Sequence, residues 1–147
     1  VKQKIDITLK TLHLGECRRV VTLGINGKDE ADAFLQKLRK DDSRKWDAIN
    51  TRISTVSNHP TYSNKITFNP VGDGIFEFKR PGLRLYAFYD EIGEDHQLIL
   101  CTNGGSKNKK KEQQTDIDRA KSLKAKYEAA KLDKNTRFNL KKLDHES

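Results

Sequence analysis

Residues 75–103 hold three strand-like runs, IFEFKR, LRLYAFYD and HQLILCTN, with Pro81-Gly82 between the first two and EIGED between the second and third. Connections this short join antiparallel neighbours, because a parallel partner needs a crossover of about a dozen residues or more. Whatever else the chain forms is therefore built on an antiparallel meander. In its middle run Leu83, Leu85, Ala87 and Tyr89 share one face, and Arg84, Tyr86, Phe88 and Asp90 share the other. The first face is core-like. The second mixes a guanidinium with a phenol and a phenyl ring, and its plain reading is a solvated outer face carrying an ordinary surface arginine.

Upstream, IDITLKTL and RRVVTLGI flank the turn-like HLGEC and are rich in β-branched residues, so two strands are expected, with a hairpin as one way of joining them. After Asn26-Gly27, Ala31, Phe34, Leu35 and Leu38 fall at helical spacing, with acids in the first turn and Lys37, Arg39 and Lys40 in the last. Ser43 is placed to cap a second helix, whose stripe of Trp46, Ile49, Ile53 and Val56 ends at Pro60. Trp46 reads there as a core anchor rather than a base-stacking platform. The two segments form a helical hairpin. Downstream of the meander comes GGSKNKKKEQQ, a basic loop, and then a helix that Thr115 and Asp118 would open as a capping box, with Ile117, Ala120, Leu123, Tyr127 and Ala130 as its apolar stripe.

At 147 residues the chain is expected to be one domain over 1–131, with 132–147 as a polar tail that forms a loosely docked helix or no fixed structure. The fold class is α+β: a small antiparallel sheet with an N-terminal helical hairpin packed on it and a C-terminal basic helix. Cys17 and Cys101 are 84 positions apart, with no spacing that suits a metal, so neither a metal nor a cofactor is expected. No apolar run approaches the roughly 20 residues of a membrane span, and the start lacks the apolar core of a signal peptide, so a cytoplasmic protein without a membrane partner is expected.

The net charge is +8, and it is unevenly placed: residues 104–131 carry nine Lys or Arg against four acids. Lys79 and Arg80 end the first strand of the meander, Arg84 begins the second, and Lys107 with Lys109, Lys110 and Lys111 follow the third. Antiparallel pairing gathers all of these at one end of the sheet. A cationic end of this kind suits phosphates, and the planar fork of Arg84 fits one bidentately.

GLRLYAFYD, followed by a strand, a Lys-rich loop and the helix TDIDRAKSLKAKY, resembles the RelE and HigB toxins of bacterial toxin–antitoxin pairs, most closely their phage-derived branch. The likeness covers residues 18–130 in element order. It implies a metal-independent endoribonuclease that cuts mRNA on the ribosome, inhibits translation and is neutralised by a small cognate antitoxin. On that resemblance Arg84 contacts the scissile phosphate, Lys79 and Arg80 are the basic pair of the preceding strand, and Lys107 is the basic residue after the last strand. Lys109, Lys110, Lys111 and Arg119 then hold RNA, and Tyr86 orients or protonates the substrate; a half-buried sheet tyrosine is the equal alternative. Arg84, projecting away from Leu83 and Leu85, is expected to contribute little to folding, whereas pairing with Asp90 or Glu77 would make it structural. The rival function is a non-catalytic basic binder on the same scaffold, either a ParE-like gyrase inhibitor or an RNA-binding accessory protein.

Overall fold

A computed structural model describes residues 4–59, 68–91, 97–106 and 109–143. In chain order β1 (Asp6–Leu14) and β2 (Arg18–Ile25) form a hairpin, and α1 (Glu30–Asp41) and α2 (Ser43–Asn58) form a helical hairpin. Next come β3 (Phe68–Gly72), β4 (Ile75–Arg80), β5 (Leu83–Glu91) and β6 (Gln97–Gly105), each antiparallel to the one before, and then α3 (Lys110–Leu132) and β7 (Arg137–Lys141). All seven strands belong to one sheet in the order β3-β4-β5-β6-β2-β1-β7.

The small antiparallel sheet expected from the sequence is therefore wrong: the sheet has seven strands and is mixed. β6 runs parallel to β2, and β7 runs parallel to β1. The parallel contact follows from the helical hairpin, which carries the chain from β2 across one face so that the meander returns its last strand alongside β2 in the same direction. Local alternation reports neither of these long-range pairings. The outermost strands were also quiet in sequence. β3 contains Pro70, which a strand tolerates at an edge, and β7 lies in the stretch read as a polar tail, with all five residues exposed.

Both faces of the sheet are covered. Val20, Phe78, Leu85 and Ile99 pack beneath Leu35 of α1 and Ile53 of α2, while Leu23, Tyr86, Phe88 and Leu100 pack with Ala120 and Tyr127 of α3. The face of β5 that reads as solvated is thus the one α3 covers. Burying one large apolar side chain is worth about 2 kcal/mol, so this second layer is a major part of what holds the domain together.

Helix ends set the geometry. Asp29 caps α1, accepting from the Asp32 N–H at 2.9 Å, and the Thr22 hydroxyl of β2 donates to its other oxygen at 2.6 Å. A cap of this kind is worth about 1 kcal/mol, and here it also pins the helix to the sheet. Asp42, rather than Ser43, caps α2. Helix α3 begins at Lys110, five residues before Thr115, and has no side-chain cap; the Thr115 hydroxyl donates back to the Lys111 carbonyl at 3.1 Å instead.

The β1–β2 turn latches onto the C-terminus of α2. Arg18, 8% exposed, donates from Nη1 to the carbonyls of Val56 and His59 and from Nε to Gln97 Oε1. The Cys17 N–H donates to the Ser57 carbonyl and the Glu16 N–H to Asn58 Oδ1, so the last turn of α2 loses few of its acceptors to solvent.

Candidate functional site

Register decides where the cations of the meander meet. Lys79 pairs with Arg84, and Arg84 pairs with Gly105, so the end of β4, the start of β5 and the end of β6 lie side by side. Lys79 is exposed there, as are Lys109, Lys110 and Lys111 at the start of α3. Lys110 and Lys111 form the first helical turn rather than a loop, next to the positive end of the helix dipole, an arrangement that an anion would relieve. Lys107 lies outside the described residues. Arg80 points to the opposite face from Lys79, with its Nε buried and without an acceptor among the described residues. Arg119 is committed elsewhere: its guanidinium is paired with Glu30, tying α3 to α1, and this pairing raises its pKa.

Arg84 is neither on a solvated face nor free. Its Nη1 donates to both carboxylate oxygens of Glu77 at 2.9 Å, with the arginine side chain 16% exposed and the glutamate 4%. Asn69 of β3 donates to Glu77 Oε1 at 3.3 Å. Glu77 interrupts the apolar run IFEFKR, and that was the available signal that a strand-buried carboxylate needs a cation on the neighbouring strand. Among the described residues Arg84 Nε and Nη2 have no bonded acceptor.

Tyr86 stands opposite Glu77 on one side and Asn103 on the other, and it is fully buried with its hydroxyl unpartnered among the described residues. Burial first, then the Glu77 and Asp116 charges against a smaller opposing effect of Arg84, push its pKa up to about 12, so it remains a neutral phenol at physiological pH. Beside it the β5–β6 ladder slips by one residue, which sets Thr102 as an extra residue on β6. The Thr102 hydroxyl donates to Asn103 Oδ1 at 2.7 Å, and Asn103 Nδ2 donates to the Asp116 carbonyl of α3 at 3.0 Å. Gly104 and Gly105 then pass so close to Phe34 and Asp116 that a Cβ on either would lie 2.3 Å from a neighbouring atom. The cleft at this point, about 320 Å³, is lined by Glu112 and Asp116, so phosphates are favoured on the Lys79–Arg84 side of the sheet end and not in the cleft.

At the far end of the sheet a groove of about 480 Å³ runs between α3 and β7, lined by Leu9, Leu98, Tyr127, Phe138 and Leu140. The Tyr127 hydroxyl donates to Asp90 Oδ2 at 2.6 Å, and Lys131 bridges to the same carboxylate at 2.8 Å. Burial and the Asp90 carboxylate hold the Tyr127 pKa well above its ordinary value.

These two phenols set an alkaline limit. Both are raised in the folded state, so between about pH 10 and pH 12 the unfolded chain has released protons that the native protein keeps, and stability falls as pH rises. The expected slope is about 1.4 kcal/mol per pH unit for each phenol, read from denaturant midpoints across that range. Tyr127→Phe should remove one phenol's share, about 1.4 kcal/mol per pH unit, from a slope to which the buried Cys101 thiol also contributes, and an unchanged slope would mean that Tyr127 is not held neutral.

Among the described residues no three His, Cys, Asp or Glu side chains converge as a metal site, and no helix is long and apolar enough to cross a membrane. No protein-family profile matches the chain, and no curated protein or solved structure does either.

Proposed function

We propose that this protein is an endoribonuclease that cuts mRNA at the ribosome without a metal, and that it acts as the toxin of a toxin–antitoxin pair. The observation that carries the reading is the Glu77–Arg84 pair on adjoining strands at the cationic end of the sheet. Cleavage through attack by a ribose 2′-hydroxyl needs a base for that hydroxyl, a fixed positive charge on the phosphate and a proton for the departing 5′-oxygen. Glu77 is the base and Arg84 the phosphate ligand. A phosphate arriving at the Nε and Nη2 edge of Arg84 competes with Glu77 for the guanidinium, draws it outward and uncovers the carboxylate oxygens as the nucleophile comes into reach. Lys79 and the lysines at the start of α3 hold the flanking phosphates, and one of their ammonium groups supplies the leaving-group proton. Tyr86, buried and neutral, supports the pair from below and does not touch substrate.

The low exposure of the same pair favours a second reading, a binder on this scaffold that holds RNA or another polyanion and cuts nothing. Glu77→Gln separates the two, because the amide keeps the shape and still accepts from Arg84. Ribosome-dependent cleavage should fall by about a hundredfold or more, with RNA affinity nearly unchanged. A Glu77→Gln protein that cuts as the native one does would remove the base and leave the binder.

A further inference from the structure

Trp46 is the chain's only tryptophan. It continues the α2 stripe of Ile49 and Ile53 yet is only half-buried, at the helical end where the stripe overruns the core. Arg39 of α1 lies over its ring, with the guanidinium carbon 5.1 Å from the centroid. Lys40 and Arg44 are exposed beside the α1–α2 connection, and the Lys45 ammonium lies 3.3 Å from the point where a Cβ on Gly82 would stand. That contact brings the connection to the Pro81–Gly82 turn, between Arg80, with its Nε buried and without an acceptor among the described residues, and Arg84. The neighbouring acids are Asp41, Asp42 and Asp47, and Asp42 is engaged in capping α2.

We propose that Trp46 and Arg39 form a stacking platform for a base of single-stranded RNA, one step along the strand from the phosphates held at the Arg84 end of the sheet. A planar indole paired with a planar guanidinium and ringed by cations suits a ligand that alternates flat bases with phosphates. Stacking of this kind tolerates any base, because each offers a π face. Lys40, Arg44 and Lys45 hold the backbone on either side. The platform rests on the RNA-binding part of the function proposed above and is independent of whether the RNA is cut.

Since no other tryptophan contributes, emission from the full chain reports on this site alone. The probe is an eight-nucleotide, 2′-O-methylated oligoadenylate, which cannot be cleaved by its own 2′-hydroxyl, compared with inorganic polyphosphate of equal phosphate count. Oligoadenylate should quench Trp46 in step with binding followed by anisotropy, whereas polyphosphate should displace it and restore the emission. Trp46→Ala should weaken oligoadenylate binding about tenfold, with Trp46→Phe in between and its melting temperature confirming the fold. Binding that saturates with emission unchanged, or native affinity in Trp46→Ala, overturns the platform and reduces the Arg39–Trp46 contact to a staple between the helices. Failure to bind RNA at all overturns the platform and the proposed function together. Quenching without any cleavage of unmodified message keeps the platform and removes the nuclease.

Discussion

Arg84→Ala is expected to lose about 3 to 5 kcal/mol of stability, the usual cost of removing one partner of a buried ion pair and leaving the other charge uncompensated. For a chain of this size that lowers the melting temperature by roughly 10 to 16 °C. Glu77 is 3% exposed and among the described residues keeps only Asn69 as a side-chain donor. The sequence-based expectation that Arg84 contributes little to folding is revised on this ground. Cleavage per folded molecule should fall by about a hundredfold as well, since the phosphate loses its preorganised donor. Arg84→Lys keeps a charge near Glu77 but not the fork, and should recover more stability than activity. The double variant Arg84→Leu, Glu77→Leu should regain much of the stability while remaining inactive, because an apolar pair needs no compensation. Thermal unfolding and ribosome-dependent cleavage, measured on the same four proteins, divide the roles. Native activity per folded molecule in Arg84→Ala would leave the arginine purely structural.

The second large effect is expected far from any chemistry, at Gly15. A Cβ there would lie 2.3 Å from the Ser57 carbonyl oxygen and 2.4 Å from its carbon, backbone atoms that cannot swing aside as a side chain can. Gly15→Ala must therefore lift the β1–β2 turn off the end of α2, breaking the bonds from Cys17 and Arg18 to the α2 carbonyls, or push α2 along its axis. A loss of about 3 kcal/mol or more is expected, seen as a lower denaturant midpoint with an unchanged slope. Gly27→Ala is the control: its φ of +84° is strained for alanine but nothing lies within 4 Å, so about 1 kcal/mol is expected. Equal losses in the two would show that the turn yields without disturbing the helix.

The parts of this fold that could be read from the sequence were those set by short-range rules. Two-residue and five-residue connections fixed the meander, a 3.6-residue period marked both members of the helical hairpin, and antiparallel pairing alone was enough to bring Lys79 and Arg84 to one end. What escaped depends on partners far along the chain. Nothing local tells that Arg119 will meet Glu30, that β6 will lie against β2, or that α3 will roof Tyr86 and Phe88. Trp46, which its spacing from Ile49 places on the apolar stripe, is only half-buried, standing in the first turn of α2 ahead of the buried residues that begin at Ile49. Thr115 shows competition within a helix, where a residue equipped to cap bonds back to the preceding turn because helix formation has already begun upstream.

The two parallel ladders also impose an order of assembly. Phe78 and Leu85 of β4 and β5 meet across a tight turn, whereas Arg18 and Gln97 are 79 residues apart and Asp6 faces Arg137 across nearly the whole chain. The entropy of closing a loop rises with its length, and the helical hairpin lies inside the loop that β2 and β6 close, so it has to be compact before those strands can meet. By the same rule the β1–β2 hairpin, joined by residues 15–17 alone, and the β4–β5 turn close first, β6 then meets β2, and the fully exposed β7 is added at the end. Glu77 and Arg84 sit beside the β4–β5 turn. On this order their ion pair is expected to form while most of the molecule is still unfolded, in contact with water until α3 closes over the strand.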